Sequence, residues 1–175
     1  MSIPVIQPFP ALSTDRLQLR QPELSDAPAI FAIRANDQVN KHLDREPAKT
    51  VDDARAFIEK INAGIARNEA FYWVITFEET LIGTICLWQF SEKPSKAEIG
   101  FELHPDFQGK GFMQEALAAV LEFGFSELKL NFIEGYTNLK NAGSIKLMEK
   151  LGFVNTRVLL DENAVIYTRH NDSLT

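Results

Sequence analysis

The chain has 175 residues, of which 45% are hydrophobic and 24% charged, with a formal net charge of −6. This length suits one domain over residues 1–175 with a single core, because no Pro/Gly/Ser-rich linker or block of like charge divides it. The acidic balance argues against nucleic acid as a partner, since binding to a phosphate backbone needs clustered Lys and Arg. The segment from Met1 to Ala11 has neither a basic start nor a long apolar run, so we expect no membrane anchor and a cytoplasmic protein.

The first part of the chain alternates between the patterns of strands and helices. Residues 16–20 alternate leucine with polar side chains, which is the period of a half-buried strand. Residues 26–34 have helical spacing, and a second helix is predicted over residues 50–68 with Thr50 as its N-cap. The polar residues 36–49 between these helices are predicted to be a loop with at most one short helix.

The middle of the chain predicts three strands and a helix. Residues 71–77 and 81–90 are rich in aromatic and β-branched side chains and form a predicted antiparallel hairpin. Residues 97–103 would add the next strand, and an apolar stripe over residues 110–126 predicts a helix packed on the core. Cys86, the single cysteine, is interpreted as a buried strand residue that forms no disulfide, which agrees with a reducing compartment.

The last third of the chain continues the alternation. Residues 130–137 are a predicted strand, and Asn141 would cap a helix that stops at Gly152 with a Schellman ending. Residues 154–169 close the chain as a hairpin. The order of one strand, two helices, three strands, a helix, a strand, a helix and two strands predicts an α/β fold with a mixed sheet.

The segment Gln108-Gly109-Lys110-Gly111-Phe112-Met113 joins a predicted strand to a predicted helix. Two glycines let the backbone approach a ligand closely, and the first helical turn offers unpaired N–H groups at the positive end of the helix dipole. The spacing differs from a nucleoside-triphosphate loop, because no hydroxyl follows Lys110-Gly111, and it lacks the third glycine of a dinucleotide fingerprint. An anion site suited to a pyrophosphate is therefore predicted here.

This segment resembles the acetyl-coenzyme A loop of the GCN5-related N-acetyltransferase (GNAT) family, Gln/Arg-x-x-Gly-x-Gly/Ala, with Met113 as a departure at the last position. Residues 12–20 are similar to the opening strand of the RimJ/RimL branch, which acetylates N-termini of ribosomal proteins. Residues 141–144 and 149–153 are similar to that family's late coenzyme-contacting helix. The likeness runs from Leu12 to Phe153 in the family's order.

The resemblance implies a GNAT fold, in which helices flank a mixed, mostly antiparallel sheet, and acetyl-coenzyme A as cosubstrate without a metal. It implies transfer of the acetyl group to a primary amine, either a small molecule or a protein N-terminus, by direct attack on the thioester. The residues that it assigns to the coenzyme are Leu103, Gln108, Gly109, Lys110, Gly111, Phe112, Met113 and Asn141. A non-catalytic coenzyme A-binding module remains the alternative, and monomer and homodimer both remain open.

Acetyl transfer to an amine needs a base, because an alkyl ammonium group has a pKa of about 10.4. Glu98 and Glu102 share one face of the predicted strand with Gly100. Histone-type members of the family carry their base in a strand segment Phe-Ala-Glu-Ile, and residues 96–99 read Lys-Ala-Glu-Ile. The resemblance therefore favours Glu98 as the general base, with Glu102 or a water molecule as alternatives.

The departing thiolate has no obvious proton donor in this sequence. Many relatives carry tyrosine in a Leu-Tyr-Glu-Lys-x-Gly-Phe segment, whereas this chain has Met148 at that place. Ser144 is the nearest hydroxyl that could stabilise the sulfur, and a thiolate is also a fair leaving group without help. Asn141 is expected to combine an N-cap with a hydrogen bond to the coenzyme arm, because a cap uses only its amide oxygen.

The acceptor is predicted to enter over residues 36–49 and the neighbouring hairpin, opposite the coenzyme loop, and Asn40 and His42 would affect its binding. Aromatic residues of the central hairpin, Trp73, Trp88 and Phe90, either floor this pocket or belong to the core. A metal site is not expected, because the three histidines are scattered and there is only one cysteine.

Overall fold

The computed structural model describes residues 3–93 and 95–174, and in that part of the chain eight strands form one sheet. The strands are β1 (Leu12–Ser13), β2 (Leu17–Arg20), β3 (Phe71–Phe77), β4 (Thr80–Glu92), β5 (Ser95–Leu103), β6 (Phe132–Asn138), β7 (Val154–Leu159) and β8 (Ala164–His170). Their order across the sheet is β1-β2-β3-β4-β5-β6-β8-β7. Neighbouring strands are antiparallel except β5 and β6, which are parallel. The predicted α/β class and the mixed, mostly antiparallel sheet are confirmed.

Helices connect these strands, and α3 and α5 have the capping residues that were predicted for them. They are α1 (Ala27–Arg34), α2 (Asp37–Asn40), α3 (Val51–Ala66), α4 (Phe112–Ser126) and α5 (Ala142–Lys150). Thr50 caps α3 in a reciprocal capping box with Asp53. Gly152, at φ +83°, ends α5, and the two hydrogen bonds of a Schellman motif are present, from Gly152 N to Glu149 O and from Phe153 N to Met148 O, each 3.0 Å. Within residues 3–93 and 95–174, no helix has both the length and the apolarity needed to cross a membrane.

The sheet is covered on both faces, because successive side chains of a strand point to opposite sides. Trp73 and Ile75 of β3 belong to the large cluster around α4, whereas Val74 between them packs with Ala27 of α1 and Ile58 of α3. The same alternation in β5 directs Ala97 and Ile99 into the cluster around α4. Glu98, Gly100 and Glu102 therefore face the side of α1 and α3.

Several element boundaries differ from the sequence prediction, and three of these differences have a clear local cause. Residues 12–20 are not one strand but the antiparallel pair β1 and β2, because the chain turns at residues 14–16 and Leu17 N donates to Thr14 Oγ1 at 3.0 Å. Helix α4 begins at Phe112 instead of Lys110, since Gly109 and Gly111 both have positive φ. Strand β6 begins at Phe132, because Leu130 instead folds back so that its N–H donates to Gly124 O at 3.1 Å.

Candidate active site

A gap opens in the sheet between β5 and β6. The two parallel strands pair from Lys96 and Phe132 to Ile99 and Gly135, and the pairing then stops. Beyond that point β5 stays paired with β4 as far as Leu103, and β6 stays paired with β8. The free backbone edges of the two parted strands therefore face each other across the gap.

A cavity of about 1080 Å³ reaches both sides of this gap. Its wall includes Glu98 and Glu102 from the face of α1 and α3, and Asn141 and Ser144 from helix α5 on the other face. Four of the site residues predicted from the sequence thus line one cavity. A ligand in the gap is accessible from both faces of the sheet.

The remaining predicted site residues, Leu103 and 108–113, do not line this cavity and lie where β5 ends. The two glycines of the loop have φ of +74° and +79°, as their predicted role in a tight turn requires. In the described part of the chain, the backbone N–H groups of residues 109–114 donate to no protein acceptor. The loop therefore presents a row of unpaired donors at the N-terminus of α4, which is the chemistry of an anion site.

The side chains of this loop point away from that row. Phe112 and Met113 are buried in the core, at 4% and 6% exposure. Gln108 Nε2 donates to Leu103 O at 3.0 Å, and Lys110 Nζ donates to Asp106 O at 3.1 Å, so both side chains brace the loop. Because its side chain lies in the core, Met113 does not obstruct the surface of the loop.

The turn between β1 and β2 is attached to the start of α4. Arg16 Nε donates to Glu115 Oε2 at 2.8 Å, Arg16 N donates to Glu115 Oε1 at 2.8 Å, and Thr14 Oγ1 donates to the same oxygen. Arg16 Nη1 also donates to Lys110 O at 3.1 Å, and its guanidinium lies 4.3 Å from the centre of the Phe112 ring. This contact joins residues 99 positions apart, so no local pattern in the sequence indicates it.

Glu98 is half-buried, and its surroundings make it a stronger base. Burial raises the pKa of its carboxyl, and the nearby Glu134 carboxylate raises the pKa further, whereas Lys96 lowers it. Glu134 is the residue directly opposite Glu98 in the register of β5 and β6. Lys96 Nζ lies 2.6 Å from Glu134 Oε2 and so neutralises part of that effect.

Glu102 is placed differently, because its carboxylate is paired with Arg45. Arg45 also donates from Nε to Asn40 Oδ1, at 2.8 Å, and Asn40 Nδ2 donates to Arg34 O, at 2.8 Å. Arg45 Nη2 and Glu102 Oε2 are buried without a partner in the described residues. This chain of contacts fixes residues 36–49 over the cavity.

Asn40, which was expected to affect acceptor binding together with His42, does not itself line the cavity. Its amide instead holds Arg45 in place. His42 does line the cavity, together with Leu43, Asp44 and Arg45. The predicted loop therefore supplies one wall of the cavity, through residues 42–45.

Helix α5 presents polar groups to the cavity from its first turn. Asn141 Oδ1 accepts from Ser144 N at 3.2 Å, which is the predicted N-cap. Within the described residues, Asn141 Nδ2 and Ser144 Oγ make no hydrogen bond with the protein, so both remain available to a ligand. Met148 is 1% exposed and packs against Gly135, where a Cβ atom would lie only 2.4 Å from its sulfur.

Several cavity residues were not found from the sequence. Tyr136 follows the gap on β6 and donates from its hydroxyl to Glu162 Oε2 at 2.8 Å, and residues 161–164 of the last hairpin complete the wall. Of the three aromatic residues considered for the pocket, Trp88 lines it and is 42% exposed, whereas Trp73 is fully buried and Phe90 packs against the core. An exposed tryptophan beside a register shift in β4 is not recognisable from composition.

Cys86, the single cysteine of the chain, is not available as a nucleophile at neutral pH. Cys86 lines the cavity, but burial raises the pKa of its thiol to about 12, so the thiol stays protonated at neutral pH. In the part of the chain that the structure describes, no group of three or more His, Cys, Asp or Glu side chains could hold a metal ion.

Comparison with known proteins identifies the family. Residues 16–154 match the family model of the acetyltransferase (GNAT) domain. An uncharacterized N-acetyltransferase of Bacillus subtilis (strain 168), YoaA, is 37% identical over 153 residues, which is 86% of each chain. A spermidine N-acetyltransferase from Vibrio cholerae, solved with CoA and spermine, superposes with a TM-score of 0.80 at 24% identity, over 90% of this chain and 97% of that one. A ribosomal-protein-S5-alanine acetyltransferase from Vibrio fischeri superposes with a TM-score of 0.75 at 22% identity, over 94% and 98%. The chain belongs to the GNAT family and is an N-acetyltransferase with the GNAT fold, as the resemblance of its motifs implied.

Proposed function

We propose that this N-acetyltransferase uses acetyl-coenzyme A and that a primary amine attacks the bound thioester directly. One observation carries the proposal: the gap between β5 and β6 opens beside Glu98, and the same strand β5 leads into the loop of unpaired N–H groups. A molecule with phosphates at one end and a thioester at the other would span both features. Coenzyme A has that form.

The phosphates would bind at the N-terminus of α4. Residues 109–113 supply backbone N–H groups to the pyrophosphate, while Gln108 and Leu103 hold the loop against the end of β5. The presence of CoA in the structure of the spermidine N-acetyltransferase supports this choice of cosubstrate. The side chains of Phe112 and Met113 act only by anchoring the helix in the core.

The pantetheine arm would occupy the gap, because the parted edges of β5 and β6 there are free to hydrogen bond with its amides. Asn141 Nδ2, free of protein partners among the described residues, would donate to a carbonyl of the arm. Ser144 lies one helical turn further on and would direct its hydroxyl at the sulfur. Met148 contributes packing against Gly135 and no proton.

Glu98 would act as the general base. It lines the cavity, it is half-buried, and its raised pKa brings it nearer to that of the amine. Glu102 is a weaker choice, because its carboxylate is already paired with Arg45. The proton passes from the ammonium group to Glu98, directly or through a water molecule, and the amine then attacks the thioester carbon. The C–N bond forms as the C–S bond breaks, the nitrogen gives up its second proton, and the departing thiolate takes up a proton to become coenzyme A.

The acceptor would enter between residues 42–45 and the hairpin tip at residues 161–163. Asp44, Asp161 and Glu162 line this part of the cavity, and their charges favour an ammonium group at close range. The two structural neighbours act, by their names, on spermidine and on a ribosomal protein. Either a small amine or a protein N-terminus suits a cavity that is open on this side.

The test measures thiol release from acetyl-coenzyme A with a panel of small amines and of peptides with free N-termini. The wild-type protein should release thiol with at least one acceptor, and Glu98→Gln should lower turnover about 10²-fold or more while coenzyme affinity stays the same. Glu59→Gln, on the exposed side of α3, is the matched control for the lost charge. Coenzyme binding without thiol release for any acceptor would instead favour the non-catalytic module.

A further inference from the structure

We propose that Arg16, on the turn between β1 and β2, is a positioning residue of the coenzyme site that keeps residues 109–113 able to bind phosphate. It does so by fixing one peptide group of the loop and by neutralising Glu115. The inference rests on the proposed function, because it takes the loop to be the pyrophosphate site.

Arg16 holds the peptide group between Lys110 and Gly111 in one orientation. Arg16 Nη1 donates to Lys110 O at 3.1 Å, and the guanidinium is stacked on Phe112. In a planar trans peptide the C=O and the next N–H point in opposite directions. With its carbonyl held by Arg16, this peptide group must turn the Gly111 N–H away from Arg16. The alternative orientation would turn the carbonyl oxygen toward an incoming phosphate, and like partial charges would repel.

Arg16 also neutralises the charge of Glu115, which lies in the first turn of α4, where a bound anion would also lie. Although burial alone would raise the pKa of Glu115, hydrogen bonds from Thr14 and Arg16 outweigh that effect and lower it. Glu115 is therefore ionised at neutral pH and, unpaired, would repel a pyrophosphate. Its ion pair with Arg16, at 2.8 Å, cancels that charge.

The two effects of Arg16, on the Lys110 carbonyl and on the Glu115 charge, predict different results for different substitutions. Arg16→Ala releases the carbonyl and uncovers the Glu115 charge, so both effects act against phosphate binding. Glu115→Gln removes the charge while its amide oxygen can still accept from Thr14 and Arg16. The double variant Arg16→Ala/Glu115→Gln loses the brace on the carbonyl but leaves no unpaired charge. A role confined to stability would make the double variant at least as poor as Arg16→Ala.

The experiment is calorimetric titration with coenzyme A at low ionic strength, with thermal unfolding recorded for each variant. Arg16→Ala should weaken binding at least tenfold, and the double variant should recover at least threefold of that loss. Arg16→Lys, which keeps the charge but cannot bond to both partners, should fall between wild type and Arg16→Ala. Arg157→Ala, an exposed arginine on β7, is the control for the loss of one positive charge.

A second readout separates positioning from general damage to the fold. With acetyl-pantetheine, which has no phosphates, kcat/KM should be equal for wild type and Arg16→Ala. Equal coenzyme A affinity of Arg16→Ala and Arg157→Ala, or a double variant no tighter than Arg16→Ala, would overturn the inference and leave the proposed function standing. A wild-type protein without affinity for coenzyme A would refute the proposed function and this inference with it.

Discussion

Replacing Glu134 with glutamine should shift the acidic limb of the pH profile of kcat/KM to lower pH. Glu134 lies directly opposite Glu98 and raises its pKa, but it is not part of the cavity wall. A base works only when it is deprotonated, so activity is present above the pKa of Glu98 and is lost as the pH falls through it. Removing the neighbouring negative charge lowers that pKa, and activity should therefore persist to lower pH.

The size of the repulsion between Glu134 and Glu98 follows from the spacing of the strands. Neighbouring strands lie about 4.8 Å apart, which puts the two carboxylates about 6 Å from each other. With an effective dielectric constant of about 40 for these partly exposed groups, their repulsion is about 1.4 kcal/mol. Lys96, 2.6 Å from Glu134, already offsets part of that repulsion. Lys96 remains in the variant, so the acidic limb should move to lower pH once the repulsion from Glu134 is removed.

The assay is the pH dependence of kcat/KM with one fixed acceptor, so that the pKa of the amine is common to all variants. Lys96→Met should move the acidic limb in the opposite direction, because Lys96 lowers the pKa of Glu98. Glu59→Gln carries the same charge change as Glu134→Gln on the exposed side of α3 and should leave the limb in place. Unchanged profiles for both Glu134→Gln and Lys96→Met would refute Glu98 as the titrating base.

Three further substitutions test other parts of the site. Gly109→Ala should cost about 1 kcal/mol of stability in urea unfolding because φ is +74°. Since the new Cβ meets no protein atom within 4 Å, a loss of coenzyme affinity of tenfold or more in calorimetry would come from contact with the ligand, and wild-type affinity would argue against the loop. Ser144→Ala should leave the unfolding free energy unchanged but lower kcat about 2- to 10-fold, as loss of one hydrogen bond to sulfur predicts, and an unchanged kcat would remove Ser144 from the mechanism. Glu102→Gln should lower the free energy of unfolding by about 2 kcal/mol, because the charge of Arg45 loses its partner. The side chains of Arg45 and Glu102 are only 20% and 13% exposed. A loss under about 0.5 kcal/mol would contradict this expectation.

The features predicted correctly from the sequence are those that local physics determines. The period of two along β5 puts Glu98, Gly100 and Glu102 on one face whatever else the chain does. The cap at Asn141 and the left-handed conformation of Gly152 fix the two ends of α5, and each depends only on residues close to it in the sequence. Positive φ at both loop glycines follows in the same way from the conformational freedom of glycine.

The features that were missed depend on contacts between distant parts of the chain. The pairing of Arg45 with Glu102 spans 57 residues, and the contact of Arg16 with Glu115 spans 99. Neither has a periodic pattern, because each depends on how two elements meet in the fold. The contact of Asn40 with Arg45 was missed for the same reason, since only the structure brings Arg45 next to its amide. The gap itself depends on where two strands cease to pair, which residue types alone do not encode.

A crystal structure of the protein with coenzyme A would test the proposed coenzyme site most directly. The pyrophosphate oxygens should lie within hydrogen-bonding distance of the backbone N–H groups of residues 109–113. The pantetheine arm should lie between β5 and β6 beyond Ile99, with its thiol in the cavity that Glu98 lines. The proposed coenzyme site would be wrong if the pyrophosphate lay away from that loop, or if the thiol lay outside the gap between the two strands.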